Sequence, residues 1–221
     1  GIRKLNLVPV ADMPYENALG MRYDSGEYHG CLDRALELSD FAGFGNRRGV
    51  SRSRGRLRGI GVAHYVESST GAPLEQAELK VLPGEQIEIL TGTQPSGQGH
   101  QTSFAQVAAH CLGLDVATFS VMLGDTARIG VGGGSHSGRS MRMAGTVISM
   151  ACERLIQQGR ALAALELEAD VGDIDYEAGW FAVSGTDRRV WLFALPSEAL
   201  GVVVSNEMHR QVFPNGCHVC E

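Results

Sequence analysis

The chain has 221 residues, 43% of them hydrophobic, which is enough to bury a sizeable core. Its formal net charge of -6 argues against a surface built for nucleic acid or an anionic membrane, because both rely on clustered positive charge. No apolar run approaches the ~20 residues that cross a bilayer and the N-terminus lacks a signal-peptide pattern, so a soluble, cytoplasmic setting with a small-molecule or protein partner is expected.

Residues 1–28 carry Pro9, Pro14, Gly20 and Gly26 with little periodicity, and read as an extended, loop-rich arm. A first helix follows, with Leu32, Ala35, Leu36 and Leu38 to Phe41 on its apolar face and Gly43 and Gly45 as its expected stop. Arg47, Arg48, Arg52, Arg54, Arg56 and Arg58 then form a basic stretch, read as a solvated helix end and linker because its host is acidic. Residues 59–67 read as a strand buried on both faces. Residues 75–81 and 86–90 alternate around Pro83-Gly84, which predicts an antiparallel pair. Phe104, Val107, Ala108 and Leu112 repeat at helical spacing up to Gly113, and residues 119–123 form another strand. A long helix is predicted from about Ser140 to Leu165, on small and apolar residues such as Ala144, Val147, Ile148, Ala151 and Leu155. The tail mixes strands at 180–183 and 190–193 with a short helix near 197–200. It ends in Cys217-His218-Val219-Cys220-Glu221, which begins to read like a strand. That ending and the start at Gly1 suggest a processed or excised piece.

Five cysteines, Cys31, Cys111, Cys152, Cys217 and Cys220, are an odd and scattered set, so reduced thiols are expected. Cys217 and Cys220 have the spacing of half a zinc site. No second cysteine pair exists, His209 is the other nearby candidate, and a strand puts i and i+3 on opposite faces, so no metal site is assigned.

One architecture occurs twice: a strand, a glycine-rich turn with small polar residues, then a helix. The first turn spans Thr91 to Thr102 and the second Gly130 to Ser140. Glycines let backbone N–H groups approach an anion, and the helix N-terminus adds partial positive charge, so both turns point to a phosphate-bearing ligand. The ordinary P-loop pattern is absent and neither cluster has the Rossmann glycine spacing.

Thr91-Gly92-Thr93-Gln94 through Gly97-Gln98-Gly99-His100, Phe104-Ala105-Gln106, Gly124-Asp125-Thr126 and Gly134-Ser135-His136-Ser137-Gly138-Arg139-Ser140 occur in this order. The set resembles the molybdopterin-binding region of the large subunits of xanthine dehydrogenase, aldehyde oxidoreductase and aerobic carbon monoxide dehydrogenase. Pro14-Tyr15, Tyr23-Asp24-Ser25-Gly26, residues 55–61 and Phe213 to Val219 look like further family segments. The resemblance implies molybdopterin with molybdenum, as the mononucleotide or the cytosine dinucleotide form. It implies that Gly97, Gln98 and Gly99 contact the cofactor near the metal. Ser135, Ser137, Gly138, Arg139 and Ser140 would then hold pterin and phosphate oxygens, with the planar fork of Arg139 on the anionic tail.

Two positions depart from the family pattern. Gly138 stands where serine is common, which removes a hydroxyl, and His136 stands where tyrosine is expected. His100 and His136 themselves read as capping or hydrogen-bonded residues rather than ligands. The family's general-base glutamate, in a Gly-x-Gly-Glu-Ala-Gly-like segment, is not in this sequence, so no catalytic residue is assigned. The expected fold is α/β (α+β), with mixed sheets and helices following glycine-rich loops. Residues 1–58 would form the arm, first helix and basic linker, and residues 59–221 a truncated molybdopterin-binding-type region. Expected partners are the remaining segments of the molybdenum subunit, iron-sulfur and FAD subunits or domains, and a small-molecule substrate. The rival reading is a non-catalytic module that binds a phosphorylated ligand.

Overall fold

The computed structural model describes residues 1–69, 71–208 and 212–221. These divide into two compact units, one of residues 1–69 with the end of the chain from 210, the other of residues 70–209. The sequence reading parts the chain at residue 58. The contacts part it at residue 69, because the strand that follows the basic stretch pairs with the last strand of the chain.

The first unit holds a short helix α1 (Ile2–Leu5), the two-residue strands β1 (Tyr15–Glu16) and β2 (Arg22–Tyr23), helices α2 (Tyr28–Leu38) and α3 (Phe44–Ser53), and strand β3 (Gly61–Val66). Gly43 and Gly45 do not end the first helix. It stops at Leu38, and Asp40 turns the chain in the left-handed region with φ 44°, so that Gly45 lies inside α3 together with Arg47, Arg48 and Arg52. The basic stretch is therefore half helix. β3 is not buried on both faces either. It alternates between exposed and half-buried positions, because it pairs with a single partner, β11 (Asn215–Cys220), and α2 is the helix packed on that two-stranded ribbon. Arg47 and Arg58 grip the Glu221 carboxylate at 2.5 Å each, and Arg47 also bonds Asp40 at 2.6 Å.

The second unit is built on a four-stranded sheet ordered β10-β4-β5-β6, made of β4 (Leu74–Leu82), β5 (Gln86–Thr91), β6 (Phe119–Leu123) and β10 (Gly201–Glu207). β4 and β5 are antiparallel, as the alternation predicts. β5 and β6 are parallel, because α4 (His100–Leu112) carries the chain back between them. α4 and the long α5 (Arg139–Glu166) pack together and on the sheet. They enclose a core that includes Leu79, Ile87, Ile89, Phe104, Ile148 and Leu155. A smaller antiparallel sheet of β7 (Ile174–Glu177), β8 (Trp180–Val183) and β9 (Arg189–Trp191) lies against α5, where Gly159 leaves room for the Phe181 ring. The sequence reading assigns no element to β7 or β10, although Val202 to Val204 is a β-branched run.

Inward positions of β4 alternate as Glu75, Ala77, Leu79 and Val81, all at most 1% exposed. A glutamate thus stands in phase with the apolar core face of a strand. A charge there needs a buried partner, and α5 supplies it.

Candidate cofactor cleft

Because β5 and β6 are parallel, their C-terminal ends Thr91 and Leu123 lie side by side, and both glycine-rich turns leave the sheet from the same edge. The turns cross in direct backbone contact. A Cβ on Gly92 would collide with the Val131 carbonyl, and one on Gly132 with the Gly92 backbone, so only glycine permits the crossing. Each turn then enters its helix through a left-handed glycine, Gly99 with φ 73° before α4 and Gly138 with φ 68° before α5. Neither helix has a side-chain cap, and backbone carbonyls take the Arg139 N–H (from His136) and the Thr102 N–H (from Gly99).

A chain of hydrogen bonds ties the turns together. The Gln98 amide nitrogen donates to Ser135 Oγ at 2.8 Å, the Ser140 hydroxyl donates to the same oxygen at 2.7 Å, and the buried Thr93 hydroxyl donates to Ser140 Oγ at 3.0 Å. Thr93 Oγ1 and Ser140 Oγ also lie within reach of the Gly134 carbonyl, at 3.1 and 3.4 Å, so three hydroxyls converge where the turns meet. Gln98 Oε1 accepts from the Ser96 backbone N–H, which folds the first turn onto this chain.

Gln98 and His100 from the first turn and residues 135–141 from the second line one cleft of about 200 Å³. That is below the roughly 300–1,000 Å³ of pockets that enclose a whole drug-sized ligand, so the cleft suits part of a larger molecule. Cβ atoms added at Gly97, Gly99 or Gly138 would meet nothing within 4 Å, so these glycines leave the cleft mouth open to a close approach.

The structure brings every sequence-assigned residue to this region and revises the role of one. Arg139 is fully buried, and its fork is occupied by the protein itself. It bonds Glu75 Oε2 at 2.6 Å, the carbonyls of Ala72 and Leu74 at 2.7 Å each, and that of Gly134 at 3.1 Å. Nothing of the guanidinium is left to hold an anionic tail. Arg139 instead anchors the second turn to the start of β4, and Gly133 lies so close over the guanidinium that a Cβ would strike it. Glu75 is correspondingly satisfied, accepting also from the Gln76 N–H at 3.2 Å and the Thr91 hydroxyl at 3.4 Å. The sequence reading overlooked Glu75, although its phase with Ala77, Leu79 and Val81 was the available signal.

His100 is also revised. It is 6% exposed and stacks on Phe104 with ring centroids 4.9 Å apart, yet its Nδ1 has no hydrogen-bond partner among the described residues. It is not the satisfied histidine that its position suggests. His209, weighed for a zinc site, lies outside the described residues. Among those described, no group of three or more histidine, cysteine or acidic side chains could hold a metal ion. No helix there is long and apolar enough to cross a membrane.

The geometry defines a class: an α/β unit with two crossed glycine turns at the N-termini of two packed helices. The molybdopterin cofactor-binding domain matches residues 34–221, and the chain belongs to that family. The carbon monoxide dehydrogenase large chain of Hydrogenophaga pseudoflava is 30% identical over 202 residues, covering 85% of this chain and 25% of that protein. The nicotine 6-hydroxylase large subunit of Paenarthrobacter nicotinovorans is 31% identical over 196 residues, covering 83% and 24%. Quinoline 2-oxidoreductase from Pseudomonas putida 86 superposes with a TM-score of 0.69 at 25% identity, over 99% of this chain and 31% of that one. A Cu,Mo-CO dehydrogenase shares the fold with a TM-score of 0.68 at 24% identity. The chain spans about a quarter of the length of these curated relatives.

Proposed function

We propose that this chain forms one part of the molybdopterin cradle in the large subunit of a molybdenum hydroxylase. That enzyme would act on an aldehyde, an N-heterocycle or a related substrate. The observation that carries the reading is the Gln98–Ser135–Ser140–Thr93 hydrogen-bond chain, which joins two crossed glycine turns at the cleft. The donor set fits the group: Ser135, Ser137 and the N-termini of α4 and α5 suit phosphate or pterin oxygens, and the glycines admit a planar ring at close range. When bound, the metal-pterin group supplies the redox chemistry of a hydroxylation that takes its oxygen from water.

The residues of this chain bind and orient. Gln98 presents its amide beside two open glycines, Ser135 donates a hydroxyl proton, and the Thr93–Ser140 pair holds Ser135 in that role. Arg139 and Glu75 keep the second turn in place from behind. By resemblance the cofactor is the mononucleotide or cytosine dinucleotide form, and electrons leave to iron-sulfur and flavin partners outside this chain. The rival, a non-catalytic phosphate-binding module, has less support because the matched relatives carry the names of dehydrogenase and hydroxylase subunits.

Metal-free molybdopterin, followed by its pterin fluorescence, tests the reading. The 221-residue chain should bind it, and Ser135→Ala should weaken binding about tenfold, the scale of one hydrogen bond to a charged acceptor. The same chain should turn over no aldehyde or purine, since the family's base is not in it. Failure of the unmodified chain to bind molybdopterin, or turnover by the chain alone, would overturn the assignment.

A further inference from the structure

Resting on the cofactor cleft proposed above, we infer that the His100 ring donates a hydrogen bond from Nε2 to an anionic oxygen of phosphate type on the bound group. The inference starts from what Arg139 cannot do. The one arginine of the second turn is neutralised by Glu75 and enclosed by backbone carbonyls, so it presents no donor to the cleft. An anion seated there must be held by other donors.

His100 is built to be one of them. It occupies the first position of α4, directly after Gly99, so its side chain lines the same cleft as Gln98 and Ser135, at a helix N-terminus without a side-chain cap. The ring cannot swing freely, because it is stacked on Phe104 at an interplanar angle of 21° and is more than nine-tenths buried. Its Nδ1 is enclosed with no partner among the described residues. A proton on that nitrogen would be a buried donor without an acceptor, a costlier arrangement than a bare lone pair. A proton on Nε2 is free of that cost, and the ring offers it to the cleft. Buried polar nitrogens are as a rule matched by protein or water. Here the ring's Nδ1 is left unmatched among the described residues, and Ser135 and the first residues of α5 border the same cleft.

Three substitutions separate this role from a structural one, with metal-free molybdopterin as the probe and thermal unfolding of the ligand-free chain as the second readout. His100→Gln places an amide nitrogen near the position of Nε2 and should bind within about threefold of the unmodified chain. His100→Asn puts its polar atoms back at the enclosed nitrogen, and His100→Phe keeps the stack on Phe104 without any nitrogen. Both should lose about tenfold or more in affinity. His100→Phe should unfold no lower than the unmodified chain, because it removes an unpaired buried nitrogen. Inorganic pyrophosphate should compete with the pterin on the unmodified chain and on His100→Gln, and compete at least tenfold less well on His100→Phe. Equal affinity of the Phe and unmodified chains, or a Gln variant as weak as the Phe variant, would overturn the inference while leaving the cleft itself standing. If the unmodified chain binds no molybdopterin, the cleft reading fails first and this inference with it.

Discussion

Arg139 and Glu75 illustrate how a single residue's chemistry depends on what encloses it. In sequence, an arginine after a glycine-serine turn reads as a phosphate ligand. In the fold the same fork meets a carboxylate at 2.6 Å and three carbonyls, with both side chains fully buried. Such a pair is worth little compared with a well-packed apolar pair, but removing one partner strands the other charge. Arg139→Met alone should therefore cost about 3–5 kcal/mol of stability. Arg139→Met combined with Glu75→Leu should recover a large part of that loss. Urea unfolding of the two single variants and the double variant measures the coupling, and strictly additive losses would show that the two side chains act independently. Arg139→Lys should not substitute, since an ammonium cannot span a carboxylate and three carbonyls in the planar geometry of a guanidinium.

The glycine turns act as elements in their own right, and their glycines serve two different ends. Gly92 and Gly132 touch backbone to backbone, so an added methyl has nowhere to go. Gly138 has open space around it and needs only its left-handed φ of 68°. Gly138→Ala should thus cost about 1–2 kcal/mol, the strain of placing an L-residue in that region. Gly132→Ala adds a steric clash of the kind that costs about 1–3 kcal/mol in packed sites, and it should also pull the two turns apart. Thermal unfolding with pterin binding checks this. The expected ranking is that Gly132→Ala loses more stability than Gly138→Ala, while both weaken pterin binding, one by parting the turns and the other by placing a methyl in the cleft mouth. The opposite ranking would mean the crossing is not the joint between the turns. The N-terminal residue of α4 belongs to the same design, because the left-handed Gly99 is what brings His100 round to the cleft.

Across the whole molecule, long-range ion pairs respond to acid in a sense set by their shifts. Hydrogen bonds and attraction from Arg47 and Arg58 hold the Glu221 carboxyl at about 2, below its ordinary 4.5. The folded value lies under the unfolded one, so the stabilisation is complete above about 4.5 and is lost as pH falls toward 2. Glu88, bonded to Arg128 at 2.5 Å, is lowered for the same reason, and its contribution also fades on the acid side. Glu221→Gln should accordingly lower the unfolding temperature at neutral pH, with the gap to the unmodified chain closing as pH is taken below 4.5 toward 2. A gap that stays constant through that range would exclude the carboxylate as its source.

Several features were legible without coordinates. The alternation of β4 and β5, the 3.6-residue periods of α4 and α5 and the left-handed stop at Gly113 are local properties of the chain, and local properties write themselves into short stretches of sequence. The ordered glycine turns were equally visible and carried the family resemblance. Other features were decided only by tertiary packing. β3 looks like an interior strand by composition, but a two-stranded ribbon leaves it half exposed. β10 is short and ordinary in sequence and takes its place by pairing with β4, more than a hundred residues earlier. The role of Arg139 depended on a glutamate 64 positions away, and the open state of His100 on there being no partner for its Nδ1 among the described residues. Periodicity, turns and caps depend on neighbours a few residues apart, so the sequence alone determined them. The partners of a buried charge or a buried ring nitrogen come from distant segments, and only the folded chain brings those together.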